Sequence, residues 1–111
     1  MDVEISTIVE YDENHRCYNP KKGGGALLDL GVYPVSIAYF LFGKPKSISS
    51  QAVLAKSGVD EKVVTILQHQ NDIQTIFSAS LIGYYRAELT ITGDTGMIKL
   101  SPPFYCLGIF K

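Results

Sequence analysis

The spacing of apolar residues changes once along this chain, near residue 45, and the change separates two kinds of structure. Residues 3–11 (VEISTIVEY) are rich in β-formers, contain neither Gly nor Pro, and predict an opening strand. Asp12 to Lys22 is a polar loop with Asn14, Asn19 and Pro20 as turn formers. Gly23–Gly25 then open a helix that runs to Gly43. Within it Ala26, Leu27, Leu30, Tyr33, Ile37, Phe40 and Leu41 recur at three- and four-residue steps, as one buried stripe would. Pro34 falls inside the pattern. It lacks a backbone donor and crowds the preceding turn, so a kink is expected near Leu30–Tyr33, eased by Gly31. Gly43 before Lys44-Pro45 is a stop signal.

Beyond Pro45 the pattern is one of strands. Ser47–Lys56 is a β-type stretch closed by the Ser57-Gly58 turn. Lys62–Gln70 and Ile73–Ile82 flank Asn71-Asp72 and read as an antiparallel hairpin. Arg86–Thr92 alternates, with Ala87, Leu89 and Ile91 on one side and Glu88, Thr90 and Thr92 on the other. A turn at Gly93–Gly96 leads to a short strand, Met97–Leu100. One strand, one long helix kinked near Pro34 and then a run of strands predict an α+β fold with a mostly antiparallel open sheet of about six strands. The helix covers one sheet face. Apolar residues at both parities in Val63–Leu67 and Ile76–Ile82 predict that the other face is also buried, by something outside this segment, and assign it to oligomerisation.

Length and composition fit a single globular domain: 111 residues, 46% apolar and 19% charged. A net charge of −1 offers no basic surface for a phosphate backbone, so nucleic acid is not an expected partner. The apolar runs are broken by Gly, Pro, Asp or Ser short of a membrane span, and Met1 leads straight into Asp2 and Glu4 without a signal peptide, so a cytoplasmic location and no membrane partner are expected. Cys17 and Cys106 are distant and expected as reduced thiols, a disulfide being the alternative.

The candidate chemistry centres on Asp29 and Tyr33, four residues apart and so on one helix face. An acid beside a phenol at a glycine loop suits proton transfer. A free tyrosine titrates near pH ~10, so a cation or a relay must assist it near neutrality, and Arg16, Lys21 and Lys22 are the nearby cations in sequence. Spacing alone leaves open that Tyr33 packs in the core and Asp29 merely caps or pairs. Gly23, Gly24 and Gly25 could cradle an anion at the helix start, or could let the backbone pass close to something bulky. They form neither a Walker sequence nor G-x-G-x-x-G behind a strand. His15, Cys17, His69 and Cys106 lack metal-ligand spacing, and no metal is expected. Tyr84-Tyr85-Arg86 reads as a sheet end or interface, or else a binding surface. No serine has an elbow motif.

The run R-x-Y-N-P-x-x-G-G-G-A-L-L-D-x-G-V-Y-P-V-S, Arg16 through Ser36, resembles the C-terminal domain of the glucose–fructose oxidoreductase/inositol dehydrogenase (Gfo/Idh/MocA) family. Ile91 to Leu100 and then Pro102-Pro103-Phe104 look like that family's terminal segment. The resemblance implies an oxidoreductase in which an N-terminal Rossmann domain binds NAD or NADP. A domain like this one, spanning residues 1–111, would supply the substrate wall and the dimer contact through its open sheet face. It implies that Asp29 and Tyr33 face the nicotinamide and the substrate carbonyl, with Arg16, Lys21 and Gly23–Gly25 lining the pocket nearby. A tyrosine at position 33 resembles the dihydrodiol and pentose dehydrogenase branch, so the expected substrate is a sugar, cyclitol or dihydrodiol. This chain has no G-x-G-x-x-G and no Glu-Lys-Pro, the motif that holds the family's catalytic lysine. The expectation is therefore a domain inactive by itself. The alternative is a non-catalytic binding or oligomerisation scaffold with the same fold.

Overall fold

A computed structural model describes residues 1–101, apart from the side chain of Tyr85. Cys106 and the Pro102-Pro103-Phe104 segment lie outside the described residues. The elements are β1 (Asp2–Ile8), short 3-10 turns at Arg16–Tyr18 and Pro20–Lys22, a π-helical turn at Leu27–Gly31, α1 (Val32–Phe42), β2 (Ser47–Leu54), β3 (Asp60–Gln68), β4 (Gln74–Ser80), β5 (Ile82–Thr92) and β6 (Met97–Leu100). The strands form one sheet in the order β2-β3-β4-β1-β5-β6. Every pairing is antiparallel except β1 with β4, so the fold is α+β with a mostly antiparallel open sheet of six strands.

The parallel pair arises because β1 is inserted between β4 and β5. Those strands are joined by a sharp reversal at Leu81, whose carbonyl accepts the Val9 N–H at 2.8 Å as the chain leaves β1. The predicted hairpin is β3–β4, closed through Gln68 opposite Gln74. Asn71 and Asp72 both take the left-handed conformation, φ 60°, which these residue types tolerate better than most.

Alternation decides the two sheet faces. Val3, Ile5, Val63, Leu67, Phe77, Ala79, Ala87 and Leu89 point inward and are buried. Burying a side chain the size of Phe77 contributes roughly 1.5–3 kcal/mol. The opposite face carries Val64, Ile66 and Ile76, each about two-fifths exposed, and nothing among the described residues covers it.

The helical stripe differs from the predicted one. Ala26, Pro34 and Ala38 are buried, and Leu30 and Ile37 pack partly against the core. Leu27, Tyr33 and Leu41 are exposed, and Phe40, expected inside, is 86% exposed. The reason is lack of contrast: in VYPVSIAYFLF only Ser36 is polar without an apolar body, so no period stands out. The irregularity expected near Leu30–Tyr33 takes the form of the π-turn, which passes into α-pitch at Val32. The helical backbone runs unbroken through Gly31 and Val32, so Pro34, which has no N–H to donate, lies inside one helical segment just after the π-turn. Taken end to end, Pro20–Phe42 is apolar enough by length and composition to cross a membrane. In the fold it is broken at Gly23, with φ 71°, and its end is tied to the sheet through the Phe42 and His69 rings, 5.2 Å apart.

Candidate functional site

The loop between β1 and the π-turn folds onto itself before it reaches Asp29. The buried Tyr18 donates its hydroxyl to the Val9 carbonyl at 2.8 Å, and burial pushes its phenol pKa up. His15 Nδ1 accepts the Cys17 N–H at 3.1 Å, so the H-x-C pair closes a turn. Asn19 Oδ1 accepts from the Lys21 N–H, while Gly24 and Gly25 donate their N–H groups to the carbonyls of Asn19 and Cys17.

These contacts decide between the two readings of the glycines. A Cβ on Gly24 would lie 2.7 Å from the Cys17 carbonyl oxygen, and one on Gly25 would lie 2.3 Å from Asp60 Oδ1. Gly25 also has φ +115°, which side-chain-bearing residues rarely adopt. The bulky object the backbone passes is therefore the chain itself. The anion cradle is corrected, because the Gly24 and Gly25 donors are satisfied internally. Two residues on, the Leu27 N–H is taken by Asp60 Oδ2 at 2.7 Å. Gly23 is the left-handed end of the Pro20–Lys22 turn, with open space around its Cα, and Lys21 and Lys22 stand exposed beside it.

The folded loop brings Arg16 and Cys17 against Asp29. Arg16 Nη1 donates to Asp29 Oδ1 at 2.7 Å, and Cys17 Sγ lies 3.8 Å from Oδ2. The Asp29 side chain is 19% exposed, whereas Arg16 is 67% exposed, so the pair opens to solvent on the guanidinium side. Asp29 raises the Arg16 pKa by its hydrogen bond and its charge, and Tyr33 adds a smaller pull. Arg16 thus stands within electrostatic reach of both expected site residues. Burial, then the Asp29 charge, pushes the Cys17 thiol up, which disfavours a thiolate there.

Of the expected site residues, the fold joins Arg16 to Asp29, and Tyr33 follows four residues after Asp29 in α1. Tyr33 is 39% exposed, which excludes the core-packed alternative, while Asp29 does pair. The arrangement is an open face: the apolar hollow of about 340 Å³ beside α1 is lined by Leu27, Val35, Tyr39 and Phe77, and not by Asp29 or Tyr33. A carboxylate anchored by a guanidinium, with a phenol one turn on, can orient a hydroxyl-bearing molecule and exchange a proton with it. Asp60 carries no signal in the sequence, where it is one of two adjacent acids, Asp60-Glu61, after the Ser57-Gly58 turn.

A sequence model of the GFO/IDH/MocA C-terminal domain matches residues 3–99. The chain belongs to the GFO/IDH/MocA family. Among its relatives, the human trans-1,2-dihydrobenzene-1,2-diol dehydrogenase is 32% identical over 93 residues, covering 82% of this chain and 28% of that protein. The Macaca fascicularis enzyme of the same name is 34% identical over 87 residues, covering 77% and 26%. This GFO/IDH/MocA domain thus spans little more than a quarter of the curated relatives it matches. Among solved structures, the aldose-aldose oxidoreductase of Caulobacter crescentus, complexed with glycerol, superposes with a TM-score of 0.80 at 17% identity, over 91% of this chain and 32% of that one. A levoglucosan dehydrogenase complexed with NADH and levoglucosan gives a TM-score of 0.76 at 18% identity, over 90% and 32%. These likenesses establish the shared fold.

Proposed function

We propose that this GFO/IDH/MocA domain forms the substrate side of an NAD(P)-dependent oxidoreductase acting on the secondary alcohol or carbonyl of a sugar, cyclitol or dihydrodiol. The observation that carries the reading is the Arg16–Asp29 ion pair, open to solvent on the guanidinium side, with the exposed Tyr33 four residues after Asp29. The relatives' names and the structures solved with NADH support the cofactor and substrate classes. A bound nicotinamide supplies hydride transfer at carbon. Tyr33 gives a proton to the carbonyl oxygen on reduction, or takes one from the hydroxyl on oxidation. Asp29 orients the substrate, and Arg16 fixes Asp29. Lys21 and Gly23–Gly25 border this surface. The Gly24, Gly25 and Leu27 donors are occupied within the chain and not open to a pyrophosphate, which fits a dinucleotide held mainly by an N-terminal Rossmann domain.

Two apolar surfaces fit a larger assembly. The outer side of α1 exposes Val32, Tyr39 and Phe40, and a helix apolar all round belongs in a packed interior, here against the nucleotide-binding domain. The open sheet face has an apolar half at Val64, Ile66 and Ile76. Its charged half sits on β1 and β5, where Arg86 bridges Glu4 and Glu88, which face each other in register. A second copy meeting this face would bury the first half and orient on the second. Sedimentation of the protein should show a dimer that Ile76→Glu dissociates. A wild-type monomer at high concentration counts against the contact.

The functional test compares two proteins. The 111-residue chain alone should neither quench NADH fluorescence nor turn over substrate. Joined to its nucleotide-binding segment, it should oxidise at least one polyol or dihydrodiol. No turnover by the joined protein across sugars, cyclitols and dihydrodiols with both coenzymes would overturn the reading.

A further inference from the structure

We infer that Asp60, which lies at the start of β3 and outside the Arg16–Asp29–Tyr33 group, is a positioning residue that holds those side chains in register. The inference rests on the proposed role of that group. Its structural basis is independent. The π-turn Leu27–Gly31 begins after Ala26, which supplies no side-chain cap. Asp60 takes the capping role from 33 residues downstream, its Oδ2 accepting the Leu27 N–H at 2.7 Å. A carboxylate there also suits the positive end of the helical segment. Gly25 is shaped to admit it, since any Cβ at that position would lie 2.3 Å from Oδ1.

A π-turn carries one residue more than an α-turn and persists where tertiary contacts hold it. This one is held at both ends. Asp60 fixes Leu27, and Gly31 is seated so close to the sheet that a Cβ on it would lie 3.3 Å from the Phe77 ring. Asp29 lies in the middle of the turn, and Tyr33 lies just past it in α1. Release of the first end lets the turn rewind toward α-pitch. Each residue of slip rotates Asp29 by about 100° relative to α1 and away from Arg16. Asp60 acts in this way through backbone phase and need not touch substrate.

The test uses Asp60→Ala, Asp60→Asn and Gly25→Ala. In the chain itself, amide exchange across Leu27–Gly31 should quicken about tenfold in Asp60→Ala, with exchange in β3 and β4 little changed. Asp60→Asn keeps an acceptor oxygen and should restore most of the protection. In the joined enzyme, Asp60→Ala should lower kcat about ten- to a hundredfold, with the cofactor KM within about twofold. Gly25→Ala displaces the same carboxylate with Asp60 unaltered and should give a similar kcat loss, so the inference stays testable if Asp60→Ala does not fold. Wild-type exchange across Leu27–Gly31 in Asp60→Ala overturns the inference. So does faster exchange with wild-type kcat while Tyr33→Phe is impaired. Wild-type kcat in Tyr33→Phe instead overturns the reading of the site, and leaves the exchange result to judge Asp60's hold on the turn.

Discussion

Replacement of Tyr33 by Phe should lower kcat of the joined enzyme about 10²- to 10⁴-fold, the range for loss of a positioned acid–base group. The change removes one oxygen and keeps the ring. Tyr33 is 39% exposed on the first turn of α1, so the ring's contribution to packing is modest and survives in Phe. Melting temperature should therefore stay within a few degrees of wild type, the shift expected for about 1 kcal/mol or less. Cofactor affinity should change about twofold or less, because the lost group acts on the substrate oxygen. A matched Asp29→Asn variant keeps the shape but weakens the hold of Arg16 on Oδ1, and should lower kcat less than Tyr33→Phe does. Stopped-flow hydride transfer measured directly separates chemistry from product release. Wild-type turnover in Tyr33→Phe would remove the phenol from the mechanism. A fall in cofactor affinity as large as the fall in kcat would instead make it a binding residue.

How much of this was legible beforehand depends on the range of the contacts involved. The strands were readable because alternation is local: Ala87 and Leu89 inside, Arg86 and Glu88 outside follows from a period of two. The insertion of β1 between β4 and β5 was not, since it depends on pairing across roughly eighty positions and no local pattern records it. The helix was readable as an element but not in its facing, because α1 is apolar on all sides; Phe40 went to solvent while the smaller Pro34 and Ala38 went inward. Asp29 and Tyr33 pair by their four-residue spacing, and Arg16 is among the cations near them in the sequence. The glycines were readable as backbone positions, yet what they approach, the Cys17 carbonyl and Asp60, is known only once the loop has folded. Asp60 illustrates the general difficulty. A cap normally sits next to the turn it caps, and this one comes from another element.

Truncation of Phe77 to Ala should cost about 3–5 kcal/mol, a large part of the roughly 5–15 kcal/mol that keeps a domain folded. Phe77 is fully buried at the centre of the sheet, opposite Thr65 on β3 and Val3 on β1. Its ring borders the hollow of about 340 Å³ beside α1, so truncation would enlarge a space that neighbours already leave unfilled, and collapse around the site would be poor. The ring is also the floor under Gly31, where the π-turn comes closest to the sheet. Loss of that floor should loosen the turn from its far end, so that Arg16–Asp29 geometry degrades together with stability. Urea unfolding should show the midpoint falling sharply, whereas Ile76→Ala, one residue away on the two-fifths-exposed face, should cost about 1 kcal/mol or less in a monomer. Similar losses in the two variants would mean that the covered face is not where this fold stores its stability, and that the π-turn is seated by something other than Phe77.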